Sequence, residues 1–295
     1  EFRRVLFRSR LVLGPWVHGY NGGVYPERNF GLMAHDGVAD VTAEQIRWFD
    51  HHLKGEANGV PGDKPVKIFV MGPDAWREED DWPLPDTDWQ HWHLHSNGCA
   101  GTQENAGVLA RTEPGAEPAD SYLYDPRNPV PTCGGATFLP GLFAAANAGP
   151  RDRRQLEQRA DVLCYTSDVL TEDLEVTGPV TATIWASSSA VDTDFTATLV
   201  DVYPDGRALL LTDGICRARF RKAADGWNPE DLLRGIAPYE RLYEPGFKPE
   251  MLTPNTPAEF KIDLWSTANL FRKGHRIRVE ISSSNFPRSE EHTSE

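Results

Sequence analysis

The sequence predicts a mainly β protein: a jelly-roll β-sandwich preceded by one strand and one capped helix, the pieces an α/β layer leaves at its edge. Three observations carry this. From Val66 to Ser284, short segments alternate apolar and polar residues between turn signals, without intervening helical repeats. Glycine and proline supply 25 and 23 of the 295 residues, which favours short strands joined by turns over a helical bundle. Ahead of that region, Ile46, Phe49 and Leu53 fall at i, i+3 and i+7, one face of an amphipathic helix.

In chain order, Leu11-Val12-Leu13 is a short apolar strand running into the turn Gly14-Pro15-Trp16-Val17-His18. A Gly-rich loop follows through Gly23 and Pro26. Thr42-Ala43-Glu44-Gln45 reads as a capping box that starts the helix, and Gly55 stops it. The character changes after Pro61-Gly62. Strands are expected at residues 66–71, 180–186, 195–203, 207–212, 217–221, 259–265 and 275–282. Pro204-Asp205-Gly206 joins two of them as a hairpin turn. In the last, Ile277, Val279 and Ile281 face one way and Arg276, Arg278 and Glu280 the other.

Composition excludes several classes. With 30 basic and 44 acidic residues the net charge is -14, the wrong sign for holding nucleic acid, which is bound by neutralising phosphates. No apolar run approaches the ~20 residues of a membrane-spanning helix, so no membrane partner is expected. Cys99, Cys133, Cys164 and Cys216 lie far apart, without the close pairs of zinc frameworks or redox dithiols. One disulfide stays open, as does the compartment, with the cytoplasm favoured over secretion. Residues 1–9 and 289–295 resemble translated sequencing-adaptor DNA and are expected to be foreign. The expected division is then 10–60 for the α/β remnant and 61–288 for the jelly roll.

His18 is the first candidate for chemistry. A general-base histidine belongs on a loop that a rigid strand positions, though the residues by themselves favour a loop histidine satisfied by backbone groups. His91-Trp92-His93-Leu94-His95 places three histidines on one strand face. Trp92 and Leu94 facing the core would explain that row without a metal, and no metal is expected there. Asp192 and Asp194 offer too few oxygens for calcium and read as a polar turn entering the strand at Phe195.

Leu11 to His18 closely resembles the histidine segment of the acyl-esterase family of α/β-hydrolases that includes X-Pro dipeptidyl-peptidases and cephalosporin acylases. The resemblance continues through Trp48-Phe49-Asp50-His51-His52-Leu53-Lys54-Gly55, Ile68-Phe69-Val70-Met71-Gly72 and Trp82-Pro83-Leu84-Pro85-Asp86-Thr87. It goes on through Tyr122-Leu123-Tyr124-Asp125-Pro126, Asp192 to Thr196, Leu199 to Arg207, and Ser282-Ser283-Ser284-Asn285-Phe286-Pro287. It implies the last strand and helix of an α/β-hydrolase domain followed by a C-terminal jelly roll. It also implies a serine hydrolase acting on a small acyl ester or peptide, without cofactor, in which His18 is the histidine of a Ser-His-Asp triad. An X-Pro dipeptidyl-peptidase or β-lactam acylase is the runner-up. A jelly roll that binds carbohydrate or a partner without chemistry is the alternative of another class.

Triads on this fold run Ser, Asp, His along the chain, and no Gly-x-Ser-x-Gly occurs here. The serine and acid are therefore expected upstream, and this chain alone is expected to be inactive. Asp36 and Asp40 read as loop and helix-entry carboxylates. The resemblance places Phe138 and Leu139 at the substrate's acyl group, with ordinary sandwich core as the equal alternative. Trp16 either walls the site or anchors the turn. The oligomeric state, a homodimer included, stays open.

Overall fold

The computed structural model describes residues 9–101, 107–136, 147–234 and 236–287. It is mainly β, as expected. Strand β1 (Leu11–Leu13) pairs in parallel with β2 (Val66–Val70), Leu11 opposite Val66, and β2 pairs antiparallel with β3 (Ala75–Glu79). This three-stranded sheet spans the division expected at 60/61. Between β1 and β2 lie the single-turn helix α1 (Asp36–Ala39) and the longer α2 (Val41–Lys54).

Two features of α2 differ from the sequence reading. Its N-cap is Asp40, not Thr42: the Asp40 carboxylate accepts from the Ala43 N–H at 3.3 Å. Aspartate tolerates the left-handed backbone found there, φ 54°, so the helix starts one residue ahead of the expected cap. Its apolar stripe also faces solvent, with Ile46, Phe49 and Leu53 all exposed. The helix ends as expected, with Gly55 left-handed at φ 75° and its N–H on the His51 carbonyl.

The remaining strands are β4 (His93–His95), β5 (Gly107–Ala110), β6 (Leu163–Thr166), β7 (Leu174–Ala186), β8 (Asp194–Val202), β9 (Ala208–Arg217), β10 (Ala258–Phe271) and β11 (Arg276–Ser282). One six-stranded sheet has the order β4-β5-β6-β11-β8-β9, and β10 pairs with β7 in a second sheet. Only β5 and β6 run parallel among the described neighbours of the large sheet. The core lies between the sheets, where Phe195 of β8 meets Phe260 of β10 at 4.7 Å and Ile262, Leu264 and Phe271 are sealed from solvent. Alternating strands with one buried face on each sheet are the usual route to a sandwich.

The β8–β9 hairpin closes as expected: Gly206 takes φ 87° and Tyr203 N–H reaches Arg207 O at 2.8 Å. The expected strand at 217–221 is not one. β9 ends at Arg217 and a 3-10 turn (Ala218–Ala224) follows, because the Arg221 guanidinium turns back onto the carbonyls of Ala218 and Glu250. None of the four cysteines is in a disulfide. No described helix is long and apolar enough to cross a membrane.

Candidate active site

The turn after β1 depends on its glycines. A Cβ at Gly14 would stand 2.3 Å from the Trp16 ring, so glycine lets the indole fold back over the chain. Trp16 Nε1 then donates to the Ala34 carbonyl at 2.7 Å. Val17 and Tyr20 exchange backbone hydrogen bonds of 3.2 and 3.1 Å, leaving His18 and Gly19 as the central pair. Gly19 takes φ 79°, the positive value a type II turn needs at its third position. His18 is exposed at the tip of that turn.

A chain of aromatic rings supports the turn from below. Tyr20 meets Tyr25 at 5.7 Å, Tyr25 meets Phe30 at 6.1 Å, and Phe30 meets Phe69 at 6.1 Å. Phe69 meets Trp76 at 5.4 Å, and Trp76 returns to Trp16 at 5.7 Å. The chain thus begins two residues after His18 and ends two residues before it. All five contacts are edge-on or tilted, the favourable geometry for aromatic quadrupoles. Trp76 Nε1 donates to Met33 O at 2.8 Å, which fixes the far end. Trp16 therefore anchors the turn by hydrogen bond and ring contact.

The sandwich part of the chain reaches the same place at Gly135 and Gly149. Gly135 and Gly149 exchange two 2.9 Å backbone hydrogen bonds, and Gly149 lies so close to the Tyr25 ring that a Cβ there would stand 2.5 Å away. Glu27 binds both the Arg151 guanidinium, at 3.2 Å, and the Asp152 N–H. Phe138 and Leu139 fall between these glycines in the sequence, outside the described residues.

The other candidates are engaged elsewhere. Asp36 accepts from Asn21 Nδ2 at 3.1 Å, and Asp40 caps α2. Asp192 holds the Arg219 guanidinium at 2.5 Å, and Asp194 grips Arg217 through two 2.8 Å bonds. Both carboxylates of the calcium-like pair are thus neutralised by arginine. Trp92 and Leu94 pack on the main core. His95 donates from Nδ1 to Glu117 and from Nε2 to the Thr112 carbonyl, both at 2.8 Å. These two acceptors raise its pKa, Glu117 most. Among the described residues no cluster of histidine, cysteine and carboxylate could hold a metal ion.

Residues 58–295 match the family described as the X-Pro dipeptidyl-peptidase C-terminal non-catalytic domain. The chain belongs to this family. It is 44% identical over 280 residues to the cocaine esterase of Rhodococcus sp. (strain MB1 Bresler), covering 95% of this chain and 44% of that protein. Two solved structures superpose with a TM-score of 0.70 at 27% identity: an aminopeptidase from a marine sediment Thaumarchaeota archaeon and an α-amino acid ester hydrolase. Each superposition covers 95% of this chain, and 42% and 43% of those chains respectively. The chain thus spans less than half the length of these relatives.

The sequence reading missed the supports. Tyr25, Phe30 and Trp76 sit in loops and on a short edge strand, where no periodicity marks them. The only signal was their aromatic character close to the histidine.

Proposed function

We propose that this chain is the C-terminal part of a serine hydrolase that cleaves acyl esters or related amides. His18 is its general base. The observation that carries the reading is the exposed His18 turn, clamped between a strand and a chain of aromatic rings, in a chain similar to esterases and a peptidase. The serine and aspartate of the triad come from the upstream part of the parent. Serine attacks the acyl carbon, and His18 takes its proton and returns it to the leaving group. The aspartate orients the imidazole. This chemistry needs no cofactor.

The exposed apolar stripe of α2 supports the reading, because a helix at the edge of an α/β layer would bury such a stripe against further chain. The acyl group is assigned an apolar wall of Phe138 and Leu139, which lie outside the described residues, and Trp16 backs the turn. That wall favours aryl or small-acyl esters over Xaa-Pro peptides. The division at 60/61, with a jelly roll behind it, belongs to the same proposal.

The test uses the parent restored from flanking sequence. His18→Ala should lower kcat by about 10⁴–10⁶ with an unchanged melting temperature. A fluorophosphonate should label the parent and not this chain. A folded His18→Ala parent with near-normal kcat would overturn the assignment, as would fluorophosphonate-sensitive esterase activity in this chain alone. For substrate class, kcat/KM for a benzoyl ester is compared with that for an Xaa-Pro anilide. A ratio favouring the anilide by about tenfold, ~1.4 kcal/mol, would make the parent a peptidase.

A further inference from the structure

Residues 23–30 fold into a small hairpin. Tyr25 and Arg28 exchange backbone hydrogen bonds of 2.8 and 3.3 Å, and the Phe30 N–H reaches the Gly23 carbonyl at 3.0 Å. Val24 bridges Asn29 between them. Pro26 and Glu27 form the tip, where proline pre-sets the backbone of the first central position. The hairpin meets three other parts of the fold. The Tyr25 hydroxyl donates to the Pro15 carbonyl at 2.8 Å, three residues before His18. Arg28 grips both oxygens of Asp74, in the β2–β3 turn, at 2.7 and 2.8 Å. Glu27, at the tip, holds the sandwich.

The sandwich side of that contact is tied to the core. Residues 151–153 lie along β9: the Leu210 N–H donates to the Arg151 carbonyl at 3.0 Å, and the Arg153 N–H to the Ala208 carbonyl at 2.9 Å. The Ala208 N–H reaches the Asp152 carboxylate at 3.2 Å, and Ala208, Leu209 and Leu210 are buried. Arg153 continues inward to Glu280. Against this segment, Glu27 takes the Asp152 N–H on one carboxylate oxygen and pairs the other with the Arg151 guanidinium at 3.2 Å. A hydrogen bond to an ionised carboxylate is about twice as strong as a neutral one. Ala148, just ahead of the segment, packs in the same apolar cluster as Val17 and Tyr25.

We propose that Glu27 and Tyr25 are positioning residues for His18, through which the sandwich holds the general base in place. The proposal rests on the reading of His18 as that base. His18 stands exposed at the tip of its turn, and both flanks of that turn rest on Tyr25. Before the histidine, the Pro15 carbonyl takes the Tyr25 hydroxyl; after it, the Tyr20 ring meets the Tyr25 ring at 5.7 Å. Tyr25 in turn belongs to the hairpin whose tip Glu27 fastens to residues 151 and 152. Without Glu27 the hairpin keeps its grip on Asp74 but loses its hold on the sandwich. A reacting group misplaced by about 1 Å can cost about 10²-fold in rate. The loss should therefore fall on kcat and leave KM nearly unchanged.

Two measurements test this. In this chain, amide NMR on Glu27→Ala should show the His18 and Gly19 signals shifted or broadened while those of β11 stay in place. Glu27→Gln, which keeps an oxygen for the Asp152 N–H, should resemble the original. In the restored parent, Glu27→Ala should lower kcat by about 10- to 100-fold with KM within about twofold, and Glu27→Gln should recover most of kcat. Tyr25→Phe, which keeps the ring and cuts the bond to Pro15, should lower kcat in the same way and decides the matter if Glu27→Ala does not fold. Normal kcat in folded Glu27→Ala, or a loss that appears in KM instead, would overturn the proposal. Unmoved His18 and Gly19 amides, or a Glu27→Gln as impaired as Glu27→Ala, would overturn it as well. His18→Ala in the same parent separates the two readings. If it is inactive while Glu27→Ala is unimpaired, the positioning role falls alone, whereas an active His18→Ala takes the hydrolase reading down with it.

Discussion

The Tyr25 hydroxyl donates a 2.8 Å hydrogen bond to the carbonyl of Pro15, tying a buried ring to the chain three residues before His18. Burial, helped by Tyr20, pushes the phenol well above its usual pKa, so it stays a donor at any ordinary pH. Tyr25→Phe removes the bond and keeps the ring, and should cost about 1 kcal/mol in urea unfolding. Tyr25→Ala also removes the contacts to Tyr20 and Phe30, and should cost about 3–5 kcal/mol. Equal losses in the two variants would show that the hydroxyl alone holds the turn.

Arg153 and Glu280 form the most deeply buried ion pair described: Arg153 Nε and Nη2 bond one Glu280 oxygen at 2.8 and 2.6 Å, and Glu280 is 1% exposed. Arg153→Met would strand that carboxylate and should cost about 3–5 kcal/mol. Adding Glu280→Leu should recover most of the loss, because two apolar groups replace the pair. A double variant as unstable as the single one would mean that the pair contributes through packing, and urea midpoints of the three proteins decide.

These cases show which parts were legible in the sequence. The β8–β9 hairpin was, because Pro204-Asp205-Gly206 is a local signal that needs no partner. The inward row Ile277, Val279, Ile281 was also legible from alternation. Glu280 and Arg278 on the opposite face read as a polar face, yet they are covered by Arg153 and Glu157, more than a hundred residues away. No local pattern reports such a partner. The same holds for the His18 turn: its Gly-Pro signal is local, whereas Tyr25, Phe69 and Trp76 reach it only through the fold. For α2 the stripe was readable, but what covers it is not a property of the stripe.

Glu157 should make stability fall with rising pH. Its Oε2 meets Arg278 at 2.5 Å, but burial, with the neighbouring Glu280 adding, outweighs Arg278 and raises its pKa. The native state then holds a proton that the unfolded chain has released. Stability from this group is full below the ordinary glutamate value and is lost as pH climbs through the raised one. Glu157→Gln keeps a hydrogen-bonding side chain without the titration, so its stability profile above pH 4.5 should be flatter than that of the parent sequence. Chemical denaturation between pH 4 and 8 checks this, and an unchanged slope would remove Glu157 as its source.

The histidine row at β4 should bind no structural zinc. A metal needs an imidazole lone pair, and both ring nitrogens of His95 donate to acceptors, Glu117 and Thr112. His95→Gln should leave the metal content unchanged. Elemental analysis after chelator-free purification should find well under one zinc per chain, and chelator should not move the melting temperature. Stoichiometric zinc lost together with stability would contradict this.

The apolar stripe of α2 should behave differently in this chain and in its parent. Ile46, Phe49 and Leu53 are 56%, 51% and 77% exposed, and Leu32 and Met33, in the turn before α1, are exposed too. Replacing exposed apolar groups seldom shifts stability by more than about 0.5 kcal/mol. Ile46→Lys places a cation four residues before Asp50, a favourable helical spacing, and Leu53→Gln keeps a good helix former. In this chain the double variant should therefore melt as the original does, bind less anilinonaphthalene sulfonate and associate less in sedimentation velocity. In the restored parent the same side chains are proposed to be buried, each contributing about 1.5–3 kcal/mol. There the double variant should lose roughly 3–6 kcal/mol of stability. Equal effects in the two contexts would mean that no further chain covers this face.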